Sequence, residues 1–199
     1  MEKLILIRHG QTEINKENKT HQTDDPESLN DTGVEQITKT AEQIKKFTPV
    51  KVYTSKETRA IQSGEVISKI LEIPLESIDG MQERNWGDLS GKPWVEIQKI
   101  LEPMSLEERY TYIPPSGESW QEFETRLIKT VSDLIFKHPN ETIVIVSHGG
   151  AIRALMPYLL GAEKEESFKH NPDNASITVF NHENTIFSQE LTNSTSHLK

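Results

Sequence analysis

Three short segments carry residue types able to act together on one anion. They are Arg8-His9-Gly10, Thr54-Ser55 with Arg59 one helical turn beyond, and Ser147-His148-Gly149. Two arginines and two histidines gathered at one spot repel one another unless something negative lies among them. The planar fork of arginine matches phosphate oxygens, and charge-assisted contacts of that kind contribute roughly 1.5–3 kcal/mol each. Gly10, Gly149 and Gly150 let backbone amides approach the same group. The set reads as a phosphate pocket.

A histidine in such a pocket can do more than bind. Neutral imidazole has a free lone pair near pH 7, its ordinary pKa being about 6.5, so it attacks phosphorus with no base to deprotonate it first. A backbone carbonyl must then hold the other ring nitrogen as a donor. Fixed cations around the equatorial oxygens supply the stabilisation that magnesium supplies elsewhere, so this reading calls for no metal and no cofactor. The leaving alkoxide needs a proton from a carboxylic acid at the rim of the pocket. Glu83, within Gln82-Glu83-Arg84-Asn85-Trp86-Gly87, is the first candidate and Glu13 the second.

These groups need elements to position them. Leu4-Ile5-Leu6-Ile7 is a continuous apolar run ending at Arg8, which predicts a strand buried on both faces. Residues 11–30 are polar, with Asp24-Asp25-Pro26 as a breaker, and read as a loop. Thr32 and Glu35 form a capping-box pattern that opens a helix with Val34, Ile37, Ala41 and Ile44 on one face. A short strand over Val50 to Tyr53 ends at Thr54-Ser55, and a helix from Ala60 to Leu71 stops before Pro74. Leu75 to Ile78 reads as a weak strand, Pro93 opens a short helix, and residues 103–118 read as irregular. Trp120, Phe123, Leu127, Val131, Leu134 and Ile135 keep helical spacing. Thr142 to Ser147 is the best strand, followed by a helix from Ala151 to Leu160. Two final strands, Ser176 to Phe180 and Thr185 to Gln189, flank a turn at 181–184.

Strands alternating with helices predict an α/β fold, a three-layer α/β/α sandwich with a mostly parallel central sheet. Ligands in such folds sit outside the carboxyl ends of the strands, where all three chemical segments fall. At 199 residues the chain fits one domain, taken as residues 1–191, with 192–199 a frayed polar tail. A net charge of −9, from 22 basic and 31 acidic residues, disfavours nucleic acid and anionic membrane as partners. The absence of cysteine excludes disulfides, thiolate metal sites and a cysteine nucleophile. Apolar runs fall far short of the roughly 18 residues of a membrane span, and Leu4 to Ile7 is too short for a signal segment. A cytoplasmic enzyme is expected, with a small phosphate ester as its partner and its oligomeric state open.

The ordered set Arg8-His9-Gly10-Gln11-Thr12, Thr54-Ser55, Arg59-Ala60, Gln62, Glu83, Trp86-Gly87, Leu89-Ser90-Gly91, Gly117-Glu118-Ser119, Ser147-His148-Gly149-Gly150 and Asn174-Ala175-Ser176 spans nearly the whole chain. It resembles the histidine phosphatase superfamily, which includes the cofactor-dependent phosphoglycerate mutases. The resemblance implies a phosphoglycerate mutase-like fold in which His9 becomes the phosphohistidine. It further implies that Arg8, Arg59 and His148 hold the phosphoryl oxygens, and that Glu83 serves as general acid, then general base. Asn15 falls where relatives place a phosphate-contacting asparagine, Gln11 and Thr12 line the same loop, and Gly149 offers its amide. Arg84 either reaches substrate or ion-pairs.

The bland readings differ by residue. His21, His138, His170, His182 and His197 lie in polar loops or near helix ends without metal-ligand spacing, and are read as surface residues. Trp94 and Trp120 are read as packing residues, with Trp86 alone kept as a pocket wall. Mutases of the family carry a lysine where this chain has Trp94, and paired arginines where it has Glu108-Arg109 before Pro114-Pro115. A carboxylate-bearing substrate would therefore face one lost cation and one reversed charge, which favours a phosphatase. A bisphosphoglycerate-dependent phosphoglycerate mutase is the first alternative. A non-catalytic phospholigand-binding domain is the second, disfavoured because a binder has no use for a nucleophile and an acid together.

Overall fold

A computed structural model describes residues 1–21 and 26–199, so the breaker at Asp24-Asp25 lies outside the described residues. The elements run β1 (Lys3–Arg8), α1 (Glu13–Lys16), α2 (Asp31–Ile44), β2 (Lys51–Thr54), α3 (Thr58–Leu71) and β3 (Leu75–Ser77). They continue with α4 (Trp94–Leu101), α5 (Leu106–Thr111), α6 (Trp120–Lys137), β4 (Thr142–Ser147), α7 (Gly149–Leu160), β5 (Ile177–Glu183) and β6 (Ile186–Ser194). The sheet order is β3-β2-β4-β1-β5-β6. The first four strands are parallel, while β5 is antiparallel to β1 and β6 to β5. The fold is α/β with a mixed sheet, parallel where it carries the chemistry.

Alternation along the central strands divides the core in two. Leu4, Leu6, Tyr53, Ile143 and Ile145 pack with α6 and α7 on one face. Ile5, Ile7, Val52, Val144 and Val146 pack with α2 and α3 on the other. Leu4 to Ile7 are all fully buried, which is why β1 shows no polar alternation.

Local chemistry corrects several boundaries. Asn30, not Thr32, caps α2, its side chain accepting the Gly33 N–H at 2.8 Å. An asparagine in extended geometry outside the first turn meets the free N–H groups that a threonine inside it cannot. Val34 is consequently exposed, while Ile37, Ala41 and Ile44 are buried. The 11–30 stretch holds a helical turn, α1, closed by a Thr12/Asn15 capping box. Residues 103–118 hold α5, started by a Ser105/Glu108 capping box. The final hairpin turns tightly at Asn184 and Thr185, both at positive φ, so its strands run longer than their apolar cores. Residues 192–199 are docked: β6 continues to Ser194, His197 Nε2 lies 2.9 Å from Thr40 Oγ1, and Leu198 packs on the α2–α3 side.

Candidate active site

Register brings the two key histidines together. In the parallel pairing of β1 with β4, Arg8 lies opposite Ser147, so His9 and His148 leave adjacent strands at the same level. Their ring centroids are 5.2 Å apart at the carboxyl edge of the sheet. On the other side of β4, Thr54 pairs with Val146, which sets Ser55 and the start of α3 beside them.

His9 is buried, with Nδ1 2.8 Å from the carbonyl oxygen of Gly10. A carbonyl only accepts, so the neutral ring carries its proton on Nδ1 and keeps the Nε2 lone pair. Burial, then Arg59, His148, Arg8 and His21, hold its pKa well below the ordinary imidazole value. Asn174 steadies this loop, donating from Nδ2 to His9 O at 3.1 Å and to Asn15 Oδ1 at 3.0 Å.

Cations surround the ring. Arg8 donates to Pro172 O at 2.7 Å, and its buried Nε has no hydrogen-bond acceptor among the described residues. Arg59 is almost fully buried and donates to His148 Nδ1 at 3.2 Å. Glu83 lies at the rim, where Oε2 accepts the Gly150 N–H at 2.9 Å and Oε1 the Arg84 N–H at 2.8 Å. A Cβ at position 150 would meet the Glu83 carboxylate, so a side chain there would push Glu83 out of this position.

Arg8, His9, Asn15, Arg59, Glu83, Arg84, His148 and Gly149 line one cavity of about 330 Å³. Three expected residues stand apart from it. Gln11 turns toward α2, its Oε1 accepting from Asn30 Nδ2 at 3.1 Å and its backbone N–H donating to Gln36 Oε1 at 3.1 Å. Thr12 is spent on capping α1 and meeting His21. Glu13 ion-pairs with Lys16 at the surface and does not line the cavity. Arg84 neither ion-pairs nor points free: it donates to the carbonyls of Tyr112 and Glu118 between the rings of Trp86 and Trp120. It is a strut under the pocket wall.

Three residues near the chemistry escaped the sequence reading. Glu57 places Oε2 at 3.1 Å from His148 Nε2. Burial alone would raise its pKa, but the facing His148, Arg59 and Ser55 override that and hold the carboxylate well below its usual range. His21, read as a surface residue, sits edge-on to His9 at 5.8 Å, with Nε2 3.1 Å from both Thr12 Oγ1 and Glu27 Oε2. Burial and the neighbouring cations lower its pKa to about 2. Arg153 lies 5.0 Å from the Trp120 ring, its buried Nε without an acceptor among the described residues. An adjoining cavity of about 740 Å³ shares Arg84, Trp86, Trp94, Trp120, Arg153 and Asn171 with the first. All three tryptophans are thus walls, not Trp86 alone. His138 is also interior, bonded to Tyr53 at 2.7 Å.

The depressed histidines tie stability to pH. Between their native and unfolded pKa values, His9 and His21 bind fewer protons in the native state than in the unfolded chain. Stability therefore rises with pH across that window and is lost as pH falls below about 6.5. Urea midpoints are expected to drop between about pH 7 and pH 5, above the range where carboxylates titrate. The slope should flatten in His21→Gln, and an identical slope in both proteins would contradict it.

Comparison with known proteins agrees with this geometry. The family model described as "Histidine phosphatase superfamily (branch 1)" matches residues 4–195. The chain is 34% identical over 170 residues to "Uncharacterized phosphatase PhoE" of Bacillus subtilis, covering 83% of this chain and 81% of that protein. It is 33% identical over 201 residues to a 2,3-bisphosphoglycerate-dependent phosphoglycerate mutase of Bartonella tribocorum, covering 94% and 97%. A mutant phosphoserine phosphatase of Entamoeba histolytica in complex with phosphoserine superposes with a TM-score of 0.87 at 30% identity, covering 100% of each chain.

Proposed function

The chain belongs to the histidine phosphatase superfamily, branch 1, and from that premise we propose that it is a phosphomonoesterase working through a phosphohistidine on His9. One observation carries the reading. The Gly10 carbonyl fixes the His9 proton on Nδ1, leaving Nε2 in a cavity that Arg8, Arg59, His148 and Glu83 also line. Nε2 attacks phosphorus as the ester P–O bond breaks, and a protonated Glu83 gives its proton to the departing alkoxide. Each Glu83 oxygen accepts one backbone N–H and retains a second lone pair to carry that proton. Water then attacks the phosphohistidine, Glu83 takes its proton, and His9 and inorganic phosphate are released. Arg8, Arg59 and His148 spread the charge of the phosphoryl oxygens, with Asn15 and the Gly149 backbone at the pocket edge.

Hydrolysis is favoured over mutase action by what replaces the mutase cations. Glu108 is engaged in capping α5, and Arg109 donates to the carbonyls of Met104 and Glu102. Trp94 packs against Trp86 at 5.7 Å, where a mutase carries lysine. A phosphate-release screen across phosphorylated metabolites, with 3-phosphoglycerate isomerisation assayed alongside, decides between the two. Because the phosphate clamp consists of protein cations, turnover is expected to survive EDTA and to be inhibited by vanadate and by inorganic phosphate. A strict requirement for a divalent ion would overturn the clamp.

A further inference from the structure

Glu57 occupies the N-cap of α3 yet makes no side-chain capping hydrogen bond. Its largely buried carboxylate spans the site instead. Oε2 lies 3.1 Å from His148 Nε2, and Oε1 accepts the backbone N–H of Glu83 at 3.0 Å. Ser55 Oγ lies 2.7 Å from the same Nε2. On the opposite side of the ring Arg59 donates to Nδ1. A guanidinium has no acceptor, so the neutral ring must carry its proton on Nε2, toward Glu57.

We propose that Glu57 is a positioning residue for phosphoryl transfer, holding the Nε2–H of His148 so that Nδ1 faces the phosphoryl oxygens, and anchoring the Glu83 backbone with its other oxygen. The inference rests on the phosphohistidine reading and adds a residue to it. When a phosphate ester enters, Arg59 turns its N–H groups to the phosphoryl oxygens, and Nδ1 takes up a proton from solvent and donates it to an oxygen, so that the ring becomes a cation. A carboxylate at Nε2 stabilises that cation through a charge-assisted hydrogen bond. Of the other groups around the ring, the cations Arg59 from α3 and Arg8 from the end of β1 oppose its charge, Glu83 across the same cavity favours it, and His9 and His21 are neutral. Glu57 is the anion in direct contact.

The test compares wild type with Glu57→Gln, which keeps the shape and removes the charge, and with Glu57→Leu. On an alkyl phosphate, kcat in Glu57→Gln should fall about tenfold to a hundredfold, the scale seen where a carboxylate backs a metal-ligating histidine. KM should change little, and the alkaline limb of the pH–rate profile should move to lower pH. A structural role alone would not move that limb. In ligand-free wild type, 15N spectra of labelled histidine should show His148 protonated on Nε2, a measurement that needs no variant to fold. Unchanged kcat and pH limb in both variants, or a His148 protonated on Nδ1, would overturn the role of Glu57. Trapping with a phosphodonor separates the two layers. Label on His9 with unaltered Glu57→Gln kinetics removes Glu57 alone, whereas wild type that takes no label removes the phosphohistidine reading with it.

Discussion

His9→Ala is expected to abolish acid-labile, base-stable labelling by a phosphodonor and to lower kcat by a factor on the order of 10⁴ to 10⁶, the scale for loss of a nucleophile. The expectation follows from the arrangement of nitrogen atoms in the pocket. His148 has both ring nitrogens occupied, Nε2 by Ser55 and Glu57 and Nδ1 by Arg59. His21 spends Nε2 on Thr12 and Glu27. His9 alone among the three combines a proton fixed on Nδ1 by a carbonyl with an Nε2 left to the cavity. Alanine removes the attacking atom and leaves the cations, so phosphate should still bind while turnover stops. Label surviving in His9→Ala would transfer the nucleophile's role elsewhere.

The second large effect concerns the leaving group. Glu83→Gln should slow alkyl phosphates by about 10²- to 10⁴-fold, the usual contribution of a general acid. An alkoxide cannot depart without a proton, whereas p-nitrophenolate is stable enough to leave alone, so p-nitrophenyl phosphate should lose far less in that step. The glutamine keeps one oxygen for the Gly150 N–H but sets its NH2 against the Arg84 N–H, so the comparison of the two substrates is what separates loss of the proton from loss of position. Equal losses on the two substrates would remove Glu83 from the acid role and leave it as a structural partner of α7.

Much of this site was readable in advance because its information is local. An apolar run followed by a polar tripeptide ends a strand wherever it occurs, and β4 has the bounds its sequence suggests, Thr142–Ser147. The helical cap of α2 was misplaced because Thr32-x-x-Glu35 satisfies a pattern that Asn30 satisfies in space. The short helix α5 carried its own signal, Ser105-x-x-Glu108, hidden between prolines that argued for irregular chain. His21 was misassigned for a different reason: its neighbours are polar, and burial arises only when the loop folds back over His9. Docking of the chain's end was similarly invisible, since the Thr40–His197 contact joins residues far apart in sequence.

Period and composition act over a few residues, and they suffice to mark the strands, the polar groups at their ends and the pairs of histidines and arginines that gather at one edge of the sheet. The protonated nitrogen of His9 and of His148, the turning away of Gln11 and the link that Glu57 makes between His148 and Glu83 come from the folded arrangement alone. Those outcomes depend on the register of β1, β2 and β4 and on contacts near 3 Å between distant residues, a scale on which spacing along the chain carries no information.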